Sequence, residues 1–333
     1  MSKLTSPSPK FRVGRNRDRV MRIAVMGTGA VGGYFGAKLA AAGHELVFIA
    51  RGKHLEAMQR DGLQVKSPVC SLHIRKALFT NAASAAGNVE LVLFCVKSYD
   101  TESASAAIAP LIGPDTIILS LQNGVDNPNK IAATWGPSRT LAGVVYVGAA
   151  MERPGVVAHS SGGRIVFGSL DGAINDGAKT VAGLFAMALI PHELSGEIAK
   201  IQWTKLLWNA AFCAVSCLTR ANVKQIVDSA PLTKLVRDCM AEVQAAARTC
   251  AIDLPSASLD QTIDFSRTLE NFKPSMLQDL EAGKPLEYEA FNGVVVKLLR
   301  QVGKTAPTNE AFYAMLGYMD KQIRKEALST HHG

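Results

Sequence analysis

The spacing of hydrophobic residues divides the chain into two parts. In the first part, short apolar runs rich in β-branched residues alternate with helical segments, and the runs lie at residues 21–26, 44–50, 90–96 and 116–121. Runs of this length are typical of strands buried on both faces of a parallel sheet. From residue 197 onward the strand signals give way to helical periodicity. The pattern predicts an α/β domain over residues 21–190 and an all-α domain over residues 191–330.

Two further stretches of the first part predict strands of other kinds. Residues 69–80 alternate loosely between apolar and polar, which is typical of one or two edge strands. Residues 140–168 are rich in β-branched residues, and Pro154 and Gly155 mark a turn within them. We expect this second stretch to supply the closing strands of the first domain.

A glycine-rich turn directly follows the first predicted strand. Its residues are Gly27, Thr28, Gly29, Ala30, Val31 and Gly32, which match the pattern G-x-G-x-x-G, and an alanine-rich helix follows them. In this pattern the first glycine allows a tight turn, the second lets the backbone approach a pyrophosphate, and the third permits close packing of helix on strand. The free N–H groups of a helix N-terminus suit such an anion. We therefore predict an α/β Rossmann dinucleotide-binding domain followed by an all-α C-terminal domain.

The end of the second predicted strand indicates which dinucleotide binds. An NAD-binding domain usually has Asp or Glu at this point to bind the ribose 2′-hydroxyl, whereas an Arg accommodates the 2′-phosphate of NADP. Here the residue is Arg51, and no acidic residue lies between Leu46 and Lys53. The sequence favours NADP(H) as the cofactor. The alternative, that Arg51 is only a solvated surface charge, stays open.

Polar side chains follow the next two buried strands. Lys97 comes directly after residues 90–96, and Asn123 lies just beyond residues 116–121. Because the carboxyl ends of parallel strands face the ligand crevice, we expect both side chains to line it. Each position also has a plainer interpretation, since Lys97 could be a solvated lysine and Asn123 with Gly124 an ordinary turn.

The long apolar helix predicted from residue 197 contains two polar residues in its middle. Lys205 and Asn209 are four positions apart, so they share one face of the helix. An unpaired buried ammonium is costly, which suggests that both side chains serve a site. A lysine whose pKa is lowered in a dry pocket can give a proton to a developing alkoxide. The alternative is that Lys205 extends to solvent from the helix edge.

Charge and hydropathy argue against nucleic acids and membranes as partners of this protein. Of the eight net positive charges, five lie in residues 1–20, so the basicity is mostly that of a tail. We expect this tail to be disordered, with Met21 a candidate for the true start, and we expect no nucleic-acid partner. It lacks the apolar segment of a signal peptide. No apolar run reaches the roughly 18 residues that a membrane span needs, so no membrane partner is expected.

The six cysteines show neither C-x-x-C nor any paired zinc-ligand spacing. In a chain without a secretion signal, they are most simply reduced thiols that pack as small hydrophobic groups. We expect no metal site.

Seven motifs occur in order along the chain: GTGAVGGYFGAKL, ARGKHLEAM, VKSYD, LQNG, WTKLLWN, KPSMLQD and LEYEAFNG. With this ordered set, from about Met21 to Tyr318, the chain resembles the ketopantoate reductase (2-dehydropantoate 2-reductase) family. The resemblance implies an NADP-binding Rossmann domain, a helical domain, and a cleft between them for the substrate. It also implies hydride transfer from NADPH to a 2-oxo acid, giving a 2-hydroxy acid.

The resemblance assigns roles to residues of the matched motifs. Residues 27–32 and Arg51 would bind NADPH. Lys97 and Asn123 would line the cleft and also contact the cofactor, and Ala149 would contact the nicotinamide. Lys205 and Glu287 would be the catalytic residues, with Lys205 donating the proton and Glu287 closing on cofactor and substrate. The substrate would be bound by Asn123, Lys205, Asn209 and Ser275, with Ser275 holding its carboxylate. The sequence also predicts Ser275 as the N-cap of a helix.

The chain departs from the family pattern at two positions. Cys213 stands one turn past Asn209, where many members have a second asparagine, and Leu286 replaces a threonine before Glu287. A thiol is a poor substitute for an amide in hydrogen bonding. The reaction class is unaffected, but a 2-oxo acid other than ketopantoate becomes an alternative substrate.

Other functional interpretations stay open at this point. The chain could be another two-domain dehydrogenase with its own lysine motif, or an NADPH-binding sensor that has lost turnover. The interpretation that we favour is a cytoplasmic enzyme of pantothenate biosynthesis that reduces ketopantoate to pantoate. Its oligomeric state stays open, with a homodimer as one option.

Overall fold

The computed structural model of the chain describes residues 19–329. Apart from Arg19 and Val20, the predicted basic tail over residues 1–20 lies outside these residues. The described residues form a ten-stranded sheet in the N-terminal half and a helical C-terminal half. The predicted fold class, a Rossmann-type sheet followed by helices, is confirmed.

The sheet and its helices occupy the chain up to residue 194. The strands are β1 (Arg22–Met26), β2 (Glu45–Ile49), β3 (Leu63–Lys66), β4 (Leu72–Ile74), β5 (Leu78–Thr80), β6 (Val89–Phe94), β7 (Ile112–Ser120), β8 (Thr140–Arg153), β9 (Val156–Ser169) and β10 (His192–Leu194). The helices between them are α1 (Ala30–Ala41), α2 (Gly52–Asp61), α3 (Thr101–Ala107), α4 (Asn127–Trp135) and α5 (Asp176–Met187).

The strand order is β4-β3-β9-β8-β7-β6-β1-β2-β5, with β10 also paired to β9. From β8 to β5 in this order, each strand pairs with its neighbours in parallel. In contrast, β8 and β9 form a long antiparallel hairpin across the predicted turn at Pro154 and Gly155. The loosely alternating residues 69–80 form β4 and β5, which lie at opposite edges, as expected of edge strands. The short β10 gave no clear signal because three residues are too few to show a periodicity.

Strand β1 explains why its sequence is apolar at consecutive positions. Ile23 and Val25 pack into the hydrophobic cluster on one face of the sheet, and Ala24 packs into the cluster on the other. All three side chains are fully buried. Burying a large aliphatic side chain contributes about 1.5–3 kcal/mol, so both faces stabilise the strand at the centre of the sheet.

The helical half has its own core. Its elements are α6 (Ile198–Thr219), α7 (Val223–Asp228), α8 (Ala230–Thr249), α9 (Ser258–Arg267), α10 (Ser275–Glu281), a π-helical turn (Glu289–Gly293), α11 (Val294–Gln301) and α12 (Pro307–Ser329). Helix α6 is buried along most of its length and lies at the centre of this core. It also contacts β8 and β9, so its residues can face the sheet as well as the helices.

Candidate active site

The glycine-rich turn connects β1 to α1 at the carboxyl end of the sheet. Gly27 has a φ of +94°, and a Cβ at this position would lie 2.6 Å from the Val96 nitrogen. A Cβ on Gly32 would collide with the Gly27 carbonyl oxygen. At Gly29, by contrast, a Cβ would meet no atom within 4 Å. The first and third glycines are thus required by the fold, while the second faces open space that a ligand can occupy.

Helix α1 begins at this open space. Gly29 is its N-cap residue and no side chain caps its first turn, which contains Ala30 and Val31. Thr28 fixes the turn to β2, because its backbone N–H and its hydroxyl both donate to the Ile49 carbonyl, at 3.0 and 3.1 Å. The uncapped N–H groups and the absent Cβ fit a dinucleotide pyrophosphate.

Arg51 lies at the end of β2 as the N-cap residue of α2. Its side chain is 80% exposed, and its guanidinium pairs with the Asp100 carboxylate at 2.8 Å. A guanidinium at this position fits the 2′-phosphate of NADP, which would displace or share the carboxylate partner.

Lys97, at the end of β6, joins the two halves of the molecule. Its ammonium lies 2.5 Å from Asp279 and 3.0 Å from Glu287, both in the helical half. Glu287 also accepts a hydrogen bond from the Ser98 N–H at 2.9 Å. One carboxylate of the helical half is therefore bound to two consecutive residues of the sheet half.

The charges around Lys97 stabilise one another. Burial alone would lower the pKa of Lys97, but the carboxylates of Glu287 and Asp279 raise it above the ordinary lysine value. Burial would likewise raise the pKa of Glu287, but the Lys97 ammonium and the Ser98 N–H lower it. Both groups stay ionised at neutral pH, so Lys97 is a fixed positive charge where the two halves meet.

Lys205, in the middle of α6, has neutral partners instead. Its ammonium donates to Asn123 Oδ1 at 2.9 Å and to the Val145 carbonyl at 2.7 Å. It also lies 5.7 Å from the centroid of the Tyr146 ring. Burial lowers the pKa of Lys205 to about 8, and the negative charge of Glu287 opposes this shift only in part. The group is therefore an acid that can release its proton near neutral pH.

Asn209 lies one turn further along α6. Its side chain is only 5% exposed, and it makes no hydrogen bond with any residue that the structure describes. Cys213, another turn on, is completely buried, and burial raises the pKa of its thiol to about 12. The thiol is therefore neutral and acts as an apolar surface.

Ser275 and Ala149 lie at the margins of this arrangement. Ser275 is exposed and is the first residue of α10, and Pro274 is the N-cap residue without a side-chain hydrogen bond. The predicted N-cap role of Ser275 is thus wrong by one position, since the proline has the extended backbone that the cap requires. Ala149 is in β8, paired with His159 of β9.

The structure brings four of the predicted residues into direct contact: Lys97 meets Glu287, and Asn123 meets Lys205. Among the described residues, it shows no hydrogen bond or ion pair of Arg51, Asn209 or Ser275 with these four side chains. Sequence reasoning missed Asp279, although it is the last residue of the motif KPSMLQD, and it missed the carbonyl of Val145. The π-helical turn at Glu289–Gly293, which begins two residues after Glu287, was also missed, because an apolar helical pattern does not reveal an inserted residue.

Two negative findings complete the description. Within residues 19–329, no group of three or more His, Cys, Asp or Glu side chains could hold a metal ion. No helix in this part of the chain is both long and apolar enough to cross a membrane.

Two family models match the chain. The model described as "Ketopantoate reductase PanE/ApbA" matches residues 23–172, and that of its C-terminal region matches residues 197–320. A 2-dehydropantoate 2-reductase of Mesorhizobium japonicum is 31% identical over 319 residues, which covers 89% of this chain and 97% of that protein.

Solved structures show the same likeness. A ketopantoate reductase from Ralstonia eutropha superposes with a TM-score of 0.85 at 32% identity, covering 91% of this chain and all of that one. A complex of D-mandelate dehydrogenase with NADH has a TM-score of 0.82 at 20% identity, covering 91% and 100% of the two chains, which is a likeness of fold alone.

Proposed function

The chain belongs to the ketopantoate reductase family, and from this premise we propose that it reduces a 2-oxo acid with NADPH, converting 2-dehydropantoate to pantoate. The observation that carries the proposal is the Lys205 ammonium, which donates to two neutral oxygen acceptors and has a pKa lowered to about 8 by burial. Such a group is suited to protonating a carbonyl oxygen as it becomes an alkoxide.

The sheet half would hold the cofactor. Gly29 leaves room for the pyrophosphate, and the uncapped first turn of α1 offers its N–H groups to it. Arg51 would bind the 2′-phosphate, exchanging its present partner Asp100 for a more highly charged anion. When bound, NADPH supplies the hydride. Ala149 would contact the nicotinamide.

Lys205 would deliver the proton. Two of its three N–H groups donate to Asn123 and Val145, which leaves one for the carbonyl oxygen of the 2-oxo acid. These two acceptors fix the direction of the remaining N–H group before the substrate arrives, so little reorganisation accompanies the reaction. Asn123 would therefore act both as a cleft residue and as the group that orients the acid.

The helical half would bind the rest of the substrate. Asn209 offers an amide that no described residue satisfies, and the exposed Ser275 hydroxyl would hold the substrate carboxylate. Glu287 would close the cleft through Ser98 and Lys97. Cys213, one turn past Asn209 on α6, is completely buried and has a neutral thiol, so this part of the helix is less polar than an asparagine would make it.

The test is oxidation of NADPH followed against a panel of 2-oxo acids that includes 2-dehydropantoate, with NADH as the cofactor control. We expect turnover with 2-dehydropantoate and a clear preference for NADPH. Equal rates with NADH would contradict the role of Arg51. Tight binding of NADPH without turnover of any 2-oxo acid would instead indicate a sensor.

A second substrate is favoured by one observation, the neutral thiol of Cys213 one helical turn past Asn209, at the position where many family members have an amide. Ketopantoate has a hydroxyl group that an amide at this position could bind and a thiol binds poorly. A 2-oxo acid without that hydroxyl would lose no such hydrogen bond. Comparing Cys213→Asn with the unaltered protein tests this: we expect the variant to gain kcat/KM for 2-dehydropantoate relative to the 2-oxo acid that lacks the hydroxyl. An unchanged ratio would mean that position 213 does not select the substrate.

The proposal includes a cytoplasmic homodimer as the working form. Light scattering of the purified protein measures its mass, and cell fractionation its location. A monomer or a membrane-bound pool would contradict this part of the proposal alone.

A further inference from the structure

Glu287 belongs to a closed series of contacts that joins the helical half to the sheet half at two places. On the helical side, the N–H of the preceding residue, Leu286, donates to the Asp320 carboxylate of α12 at 2.8 Å. Asp320 is 4% exposed, and its second oxygen accepts a hydrogen bond from Arg324 at 2.6 Å. The backbone next to Glu287 is thus bound to the carboxylate that holds Arg324.

Arg324 extends from α12 to the sheet half. Its guanidinium carbon lies 5.3 Å from the centroid of the Tyr99 ring, within the range of a cation–π interaction. Tyr99 directly follows Ser98, whose N–H donates to Glu287 at 2.9 Å. The contacts therefore return to Glu287, and we call the three residues Tyr99, Arg324 and Asp320 the clamp.

We propose that the clamp positions Glu287 on Ser98 and Lys97, so that Arg324 and Tyr99 are positioning residues for closure of the cleft. The proposal rests on the function proposed for Glu287. A carboxylate at the end of a flexible side chain keeps its partner only if the backbone behind it is held. Asp320 holds that backbone, and Arg324 ties the same carboxylate to the strand-end turn that carries Ser98.

A role in packing alone does not account for the contact between Arg324 and Tyr99. The Arg324 side chain is 47% exposed and Tyr99 is 39% exposed, so the contact buries little surface. Arg324 nevertheless contacts the sheet half through this aromatic face, while its charge is anchored in the helical half. An exposed cation–π pair contributes enough to change an equilibrium about two- to fivefold.

The experiment compares Tyr99→Leu, Tyr99→Phe and Arg324→Met in the full-length protein. Tyr99→Leu removes the aromatic face while leaving the Asp320–Arg324 pair intact, and Tyr99→Phe keeps the face. Arg300→Met is the matched control, because Arg300 pairs with Glu310 within the helical half at 3.1 Å. The first measurement is hydrogen exchange of the Ser98 amide, which Glu287 protects.

We expect Ser98 exchange to be about two- to fivefold faster in Tyr99→Leu and Arg324→Met, and unchanged in Tyr99→Phe and Arg300→Met. The KM for the 2-oxo acid should rise by the same factor with kcat nearly constant, because a smaller closed population weakens apparent binding. In a Glu287→Leu background, the effect of Tyr99→Leu on KM should disappear, since leucine has no acceptor for the Ser98 N–H and the two changes then act on one contact.

Unchanged Ser98 exchange in Tyr99→Leu and Arg324→Met would overturn the clamp, whatever the kinetics. Equal effects of Tyr99→Leu and Tyr99→Phe, or additivity of Tyr99→Leu with Glu287→Leu, would also overturn it. The function proposed for Glu287 fails separately, if Glu287→Gln reduces the 2-oxo acid as fast as the unaltered protein. The exchange measurement still decides the clamp in that case, because it does not depend on turnover.

Discussion

Two lysines of the candidate site, Lys97 and Lys205, lie in opposite electrostatic environments. At one end, Lys97 lies between the carboxylates of Asp279 and Glu287, and its pKa is raised. At the other, the hydrogen-bond acceptors of Lys205 are the neutral oxygens of Asn123 and Val145, and burial lowers its pKa to about 8. The same side chain is therefore a permanent charge in one place and a proton donor in the other.

The difference is decided by the neighbours and not by burial, since both lysines are only partly exposed. A carboxylate within hydrogen-bond distance compensates the cost of burying an ammonium, whereas a carbonyl or amide oxygen compensates only part of it. Removing or adding one carboxylate should therefore change the role of a lysine, and the following changes test this.

The largest effect should follow the loss of the proton donor. We expect Lys205→Met to lower kcat by about 10²- to 10⁴-fold, the usual contribution of a general acid, with little change in NADPH binding. Steady-state kinetics and a fluorescence titration of NADPH measure the two quantities. Lys200→Met, in the same helix and paired with the exposed Glu197, is the control. If Lys205→Met were as active as the unaltered protein, the catalytic role of Lys205 would be contradicted.

A smaller effect should follow the loss of a carboxylate at the other end. Glu287→Gln removes a charge-assisted hydrogen bond to Lys97, so we expect kcat/KM to fall about 10- to 100-fold. Glu289→Gln, two residues away and exposed, provides the comparison. If both variants kept full activity, the ion pair at Lys97 would be structural only.

Arg51 adds a third cation to the comparison, and its present partner, Asp100, can be exchanged for the 2′-phosphate of the cofactor. Because it is exposed, we expect Arg51→Gln to weaken NADPH binding only about 5- to 20-fold and to leave NADH binding unaltered. Titrations with both nucleotides measure this, with Arg60→Gln at the other end of α2 as control. An equal loss for both nucleotides would show that Arg51 does not bind the 2′-phosphate.

The smallest effect is that of pH on the unaltered protein. The ammonium form of Lys205 is the active one, so kcat/KM should be constant near pH 7, fall by about half where pH equals the pKa of about 8, and decrease further above it. Glu287→Gln should move this decline to lower pH, because the negative charge of Glu287 raises the pKa of Lys205. A profile that stays flat to pH 10 would exclude a lowered pKa.

The sheet half of the site was more predictable than the helical half. Gly27, Gly29 and Gly32 act through backbone geometry that is local in sequence, and Lys97 and Asn123 follow from the rule that strand ends face the crevice. Lys205 and Asn209 could be predicted to act together because helix periodicity puts them on one face. These are features that a short segment determines by itself.

The partners of these residues could not be found in this way. Asp279 lies 182 positions from Lys97 along the chain, and Asp320 lies 34 positions from Leu286. Such pairs depend on how α10 and α12 pack against the sheet half, and no local pattern encodes that packing. The carboxylates that keep Lys97 ionised were therefore beyond the sequence, whereas the apolar helix around Lys205 was enough to predict its lowered pKa.

The most direct test of the contrast between the two lysines is an NMR titration of protein with ¹³C-labelled lysine side chains, with Lys97→Met and Lys205→Met used to assign the two signals. We expect the Lys205 signal to titrate near pH 8 and the Lys97 signal to remain that of an ammonium beyond the ordinary lysine pKa of 10.5. Two signals that titrate together above pH 10 would contradict the account.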